Sequence, residues 1–349
     1  MDFILTARAV VAMLRNFRAE AARATEKVRP VNLPRHTAPL CVLLLSANVA
    51  PVCAEPPAWA YPFPAKDFKP TPDDGAILHV PGSKAGYTRT QTRDRFNATD
   101  WHPGDYPPLP PIVANGRKPT VYACGWCHRA DGTGGPENAN LAGLPEAYLI
   151  RQVADMKSGA RRSSVDNRLP VTAMLDAIRD ISDEEVRQAA KYFAGIKPRW
   201  SVKVVEADTI PMSTVGGWFT MAAPGNEREP IGRRVVEMPE DVEQFESRDP
   251  RAKFTAYVPF GSLKRGEELV TTGAGKTLPC ATCHGPELKG VDAIPPIVGR
   301  WPSYIARQLT DLQTGARAGT IAAAMKPVVE KLDNDDIVAI TAFLASRAP

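Results

Sequence analysis

Apolar and polar positions divide this chain unevenly. In ISDEEVRQAAKYFAG (181–195), Val186, Ala189, Ala190 and Phe193 fall at helical spacing, and Ser182 with Glu185 forms a capping box. In LDNDDIVAITAFLAS (332–346), Ile337, Ile340, Thr341 and Leu344 repeat that face behind Asp333 as N-cap. SLKRGEELV (262–270) predicts a further helix. Between these units, SVKVVEA (201–207), RRVVEM (233–238) and FTAYVPF (254–260) are β-prone pieces separated by turn signals. They predict one or two hairpins that cover a domain face or bridge the two units. Residues 55–111, with PPAWAYPFPAKDF and DYPPLPP, are too rich in proline to build a core of their own. They read as extended chain laid across the first helical unit.

The remaining apolar run is PLCVLLLSANVAPVCA (39–54), with Arg29 and Arg35 upstream. It is short for a membrane span, and VCA before Glu55 resembles a small-residue cleavage site, so residues 1–54 read as an export leader. Residues 1–30 are long for a basic n-region, which puts a start downstream of Met1 among the expectations. The leader carries seven Lys/Arg and three acids of the chain's 43 and 39, so the rest is balanced at 36 of each. The net charge of +4 therefore belongs to the leader, and no basic field points to nucleic acid. A membrane contact is expected only if the leader stays uncleaved. Of six cysteines, Cys41 and Cys53 leave with it. The four that remain form two C-x-x-C pairs.

Those pairs belong to a repeat. VYACGWCHRADG (121–132) and LPCATCHGPELKG (278–290) place a histidine directly after each second cysteine, 156 residues apart. The same offset lays LAGLPEAYLIRQVADMKSGAR (141–161) on IVGRWPSYIARQLTDLQTGAR (297–317). Tyr148/Tyr304, Gln152/Gln308, Asp155/Asp311 and Arg161/Arg317 are among the identities. Beyond it the offset falls to 151, so five extra residues lie between Arg161 and Met174 in the first copy, and Met174 meets Met325. Two copies mean a duplicated domain, not a solenoid.

Four chemistries compete for C-x-x-C-H. Zinc would need both pairs to converge on one ion and leaves the histidines unexplained. A thioredoxin-like dithiol needs a βαβ setting, whereas the flanks here read as helix and glycine-rich loop. Simple disulfides fit export but again not the histidines. Haem attachment explains every residue: Cys124, Cys127, Cys280 and Cys283 as thioether anchors, and His128 and His284 as axial ligands to iron. For the opposite ligand, His79 and His102 both precede the first motif, so bis-histidine ligation has few candidates. Met156 faces Leu312 in the repeat and reads as core; Met212, Met221 and Met238 have no repeat partner. Met174 and Met325 are matched, and His/Met ligation is the expectation in both copies.

With CxxCH near the start, a middle helix, a methionine and a last helix with an aromatic near its end, each copy resembles a class I cytochrome c. The pairing is similar to the tandem dihaem cytochrome c4 and c553 group, over roughly 112–195 and 260–346. The resemblance implies a mainly α fold: two class I cytochrome c haem domains joined by a long, partly β or irregular connecting segment. The expected divisions are leader 1–54, a Pro-rich extension 55–111 packed on the first domain, domain one 112–197, connecting segment 198–259 and domain two 260–349. It implies two covalently bound haem c groups (iron) and periplasmic electron transfer. The expected redox partners are a dehydrogenase, a quinol-linked or cytochrome complex, or an oxidase. No residue is assigned to a small-molecule substrate.

Similar cytochromes hold the axial histidine with a proline-adjacent carbonyl before the L-A-G segment; Pro295 or Pro296 fits in the second copy, while the first has Ala139-Asn140 there, with Pro136 nearby. Arg161 and Arg317 are candidates for haem propionate contacts, against the plainer reading of solvated helix-end charges. The chain departs from the group in its extension, its long connecting segment, and the lack of a long helix before the first CxxCH. The rival class is an enzyme, a dihaem peroxidase or thiosulfate-oxidising cytochrome, which needs an open iron or a cysteinate ligand.

Overall fold

A computed structural model describes residues 55–349; the leader reading, with Cys41 and Cys53, lies outside them. The chain is largely helical around two apolar clusters, with a small mixed sheet between them in sequence.

The first cluster gathers α1 (Cys124–His128), α2 (Glu146–Lys157), α3 (Leu169–Arg179) and α4 (Asp183–Ala194). The capping box at Ser182 forms as the sequence predicts, with Glu185 N–H donating to its hydroxyl at 3.2 Å. Val186, Ala189, Ala190 and Phe193 are buried against Ile112, Val121, Leu149 and Ile178. The α-helices described before the first motif are short, Arg89–Arg93 and the single turn Pro111–Ala114.

The connecting segment supplies β1 (Val202–Glu206), the hairpin β2 (Ser213–Gly216) and β3 (Phe219–Ala222), β4 (Val236–Pro239) and β5 (Phe254–Val258). The hairpin β2–β3 lies between the pieces 201–207 and 233–238 rather than in them. The larger sheet differs from a simple hairpin: β5 is its middle strand, parallel to β1 and antiparallel to β4. Alternate residues of β5 (Phe254, Ala256, Val258) point into a core with Val202, Trp301, Val338 and Ala342.

The second cluster is built by α5 (Ser262–Thr272), α6 (Ala281–His284), α7 (Pro302–Thr314) and α8 (Asn334–Ser346). Asp333 caps α8 with Asp336 closing the box. One side of α8 meets α5 and α7 and the other meets the sheet, so Ile337 through Ala345 are all buried. That is why α8 reads apolar all round while α4 keeps a charged face.

The extension departs from its expected place. Tyr61 is buried in the second cluster and donates to Asp311 at 3.3 Å; Trp59 donates to Asn334 at 3.1 Å. Its start therefore packs on the second helical unit, because two large aromatics find an apolar groove there. Farther along it does reach the first unit: Ala98 N–H donates to Ala114 O at 2.8 Å and Trp126 Nε1 to Thr92 O at 3.1 Å.

Candidate functional site

In α1, Cys124, Cys127 and His128 stand at i, i+3 and i+4, which brings all three to one side of a single turn. The second copy repeats this with Cys280 at the N-cap of α6. The chain leaves each histidine through a residue with positive φ, Arg129 (φ 66°, ψ 160°) and Gly285 (φ 80°, ψ 161°). The loop that follows returns beneath the ring. His128 Nδ1 lies 2.8 Å from Ala139 O, and His284 Nδ1 lies 2.8 Å from Pro295 O. A carbonyl can only accept, so Nδ1 carries the hydrogen and Nε2 keeps a free lone pair. Burial holds both imidazoles below their ordinary pKa, and these carbonyl bonds only partly oppose it.

All four cysteines are unpaired. Burial pushes the thiols of Cys124 up to about 12 and of Cys127 and Cys280 up to about 11. Thiols held protonated by burial are poor nucleophiles for exchange chemistry. Among the described residues no group of three or more His, Cys, Asp or Glu could hold a bare metal ion.

A cavity of about 190 Å³ opens beside α1. Cys124, Cys127, His128 and Met174 all line it, between apolar walls that include Leu149, Val153, Ile178 and Phe193. Met156 lines it too and packs in the first cluster. At its edge Arg168 is 1 % exposed, with Nε and Nη2 lacking any partner. Burial lowers its pKa to about 9. An apolar slot with two thiols, a free imidazole nitrogen, a thioether and an unsatisfied cation fits haem, whose carboxylates would answer that cation. In the second copy Met325 ends a short 3₁₀ turn, Ala322–Met325, and packs with Cys280 against the second cluster. Cys283 is exposed.

His79 and His102 are held elsewhere, His79 against Ala85 O at 3.2 Å and His102 against Asp249 at 2.9 Å. Arg161 and Arg317 meet at a seam between the copies. Arg161 donates to Gln152 (2.9 Å), Tyr304 (3.1 Å) and Gln308 (2.9 Å). Arg317 mirrors it, donating to Gln308 (3.1 Å), Tyr148 (3.0 Å) and Gln152 (2.9 Å). Their backbones run antiparallel, with Arg162 N–H on Ala316 O and Ala318 N–H on Ala160 O, each at 2.8 Å. Arg161 also lines the first cavity. Sequence reasoning missed Arg168, although it lies in the stretch between Arg161 and Met174 where the first copy is longer.

Two CxxCH turns, each with its imidazole oriented from behind, are the donor set of a c-type cytochrome. The Cytochrome c family pattern matches residues 263–348. Cytochrome c4 of Azotobacter vinelandii is 30% identical over 229 residues, 63% of this chain and 82% of that protein. A thiosulfate dehydrogenase electron acceptor of Thiomonas intermedia (strain K12) is 26% identical over 234 residues, 66% of this chain and 80% of that one. The solved structure of reduced recombinant cytochrome c4 from Pseudomonas stutzeri aligns at 25% identity and a TM-score of 0.42, over 64% of this chain and 92% of that one. The chain belongs to the cytochrome c4 family of dihaem class I cytochromes c, electron-transfer proteins with covalently bound haem c.

Proposed function

We propose that the protein is a periplasmic electron carrier, or the electron-accepting subunit of a dehydrogenase. Cys124, Cys127, Cys280 and Cys283 anchor the haems, and His128 with Met174 and His284 with Met325 are the axial pairs. The observation that carries this reading is the identical 2.8 Å support of Nδ1 in both copies, with Met174 lining the cavity that His128 enters. Bound haem supplies one-electron chemistry at iron. The chain's own part is to fix each ring, keep water from the apolar walls and offer a soft thioether, which raises the potential of the group it ligates.

The exposed edge at Cys283 suits a small, short-lived contact with a redox protein. The name of the Thiomonas relative supports the subunit form of this reading. An enzymatic reading needs an open ligand position, which ligation by Met174 would fill.

Optical spectra of the haem-loaded protein, oxidised and reduced, provide the test. A weak band at the red edge of the oxidised spectrum is expected, diminished in Met174→Ala and in Met325→Ala and gone when both are changed. High-spin iron or turnover of peroxide in the unaltered protein would overturn the carrier reading.

A further inference from the structure

A second recess, of about 310 Å³, adjoins the first cavity and shares Cys127, Glu137, Asn138 and Pro170 with it. Its other walls come from segments that the first cavity does not use: the extension near Phe68 and Arg93, the β2–β3 turn at Trp218, and the connecting segment around Phe245 and Arg248. The start of α3, at Leu169 and Pro170, forms its rim.

Its charge is unbalanced. Four arginines line it (Arg93, Arg95, Arg129, Arg248) against two glutamates, Glu137 and Glu246. Glu246 lies 3.9 Å from Arg89, and Glu137 lies 3.9 Å from Arg129. Among the described residues Arg93, Arg95 and Arg248 are answered only by neutral oxygens. Arg93 donates to Thr71 O, Arg95 to the Tyr122 hydroxyl, and Arg248 to Thr92 O and Trp126 O.

Arg129 is the most telling of the four. It is 3 % exposed, and its Nε and Nη1 have no partner. Its guanidinium lies 4.8 Å over the Phe245 ring, and Nη2 makes a long bond of 3.4 Å to Phe245 O. Burying such donors unanswered is unfavourable unless an acceptor arrives. The backbone adds to the cost: Arg129 has φ 66° and ψ 160°, a region suited to glycine, and the second copy has Gly285 there at φ 80° and ψ 161°. A bulky cation has thus been kept where the duplicated partner has glycine. Beside it the walls are aromatic: Trp126, Trp218, Phe219 and Phe245.

We infer that this recess binds a small carboxylate with a flat apolar body, a carboxylate oxygen on a free N–H of Arg129 and its body between the aromatic walls. A guanidinium N–H gives a carboxylate oxygen a charge-assisted hydrogen bond, stronger than one between neutral groups. The enclosure is on the scale of small-molecule sites, concave and mostly apolar with a few convergent polar groups. The site does not depend on which residues are the axial ligands.

Calorimetric titration of the full-length, haem-loaded protein with sodium benzoate at low ionic strength tests this. One saturable site per chain is expected. Arg129→Gly gives the position the residue its backbone prefers, so the fold is kept while affinity falls about tenfold or more. Leu169→Glu places a carboxylate at the exposed rim, in a helix first turn that tolerates it, and weakens benzoate several-fold. Both variants keep the parent's haem spectra. The inference is overturned by no saturable binding to the spectrally intact parent, or by parent-like affinity in both variants. It is also overturned if inorganic sulfate, which lacks the apolar body, binds as tightly as benzoate.

Discussion

Arg161 and Arg317 form the seam between the copies by sharing acceptors, and sharing predicts a particular kind of coupling. Each guanidinium makes three hydrogen bonds across or along the seam. Both glutamine oxygens, Gln152 Oε1 and Gln308 Oε1, accept from both arginines. A hydrogen bond to a charged group contributes about 1.5–3 kcal/mol. Three would total roughly 4–9 kcal/mol, but the half-buried guanidinium gives back its desolvation cost when removed. In a single Arg161→Met variant both glutamine oxygens keep their other donor, Arg317, so neither is orphaned. The net loss should be about 2–4 kcal/mol, and Arg317→Met should lose a similar amount.

The double variant is different, since both glutamine oxygens then lose their last arginine donor. It should be worse than the sum of the singles by about 1–2 kcal/mol. Guanidinium unfolding of the haem-loaded protein, followed by helical circular dichroism, measures the four corners of the cycle. Additivity within about 0.5 kcal/mol would mean two independent helix-end charges, and the shared-acceptor argument would fail. A double variant milder than the sum would refute it equally.

Two further outcomes follow from buried groups outside the seam. Glu237 is 3 % exposed, accepts from Ser303 N–H at 2.8 Å and leaves Oε1 without a partner; burial pushes its carboxyl up to about 8. Folded chains hold this proton while unfolded chains have lost it, so stability should fall as pH rises from about 4.5 to about 8. Glu237→Gln should flatten that decline, and melting curves of the two proteins that stay parallel from about pH 5 to about pH 9 would show the group is not responsible. Gly266, where α5 crosses α8, has no room for a methyl: a Cβ there would collide with Ala339 O and sit 2.7 Å from Phe343 Cβ. Gly266→Ala should cost about 3 kcal/mol by forcing the helices apart, whereas a loss under about 0.5 kcal/mol would show that the crossing can slide.

The repeat made much of this legible, because comparison of two copies acts as an internal control on every residue. It singled out Met174 over Met156, and both line the cavity with His128. It paired Arg161 with Arg317, although neither partner glutamine could be assigned without three dimensions. The support for His128 was hidden for a physical reason. A backbone carbonyl is available from any residue, so looking for a proline in the first copy reached Pro136 and left Ala139-Asn140 unassigned. Register was the better guide: Ala139 follows His128 by 11 residues, as Pro295 follows His284. The extension shows another limit, since Trp59 and Tyr61 announce burial but not the surface that buries them. Arg129 was the signal left unread, for its mismatch with Gly285 is plain in the two motifs.

That mismatch belongs to a wider divergence between the copies. Around the second motif Cys283 is exposed, and a redox protein can approach it with the flat patch that even transient contacts require. Around the first motif, the extension and connecting segment occupy that approach and leave only a recess of about 310 Å³ beside Cys127. A protein surface cannot enter such a space, but a molecule of a few heavy atoms can. The same segments bury Trp101 and pin it to Ser247 O at 2.8 Å, so this roof is fastened in place rather than loosely tethered. Duplication supplied two equivalent edges; the added segments make them unequal, one exposed at Cys283 and the other roofed beside Cys127.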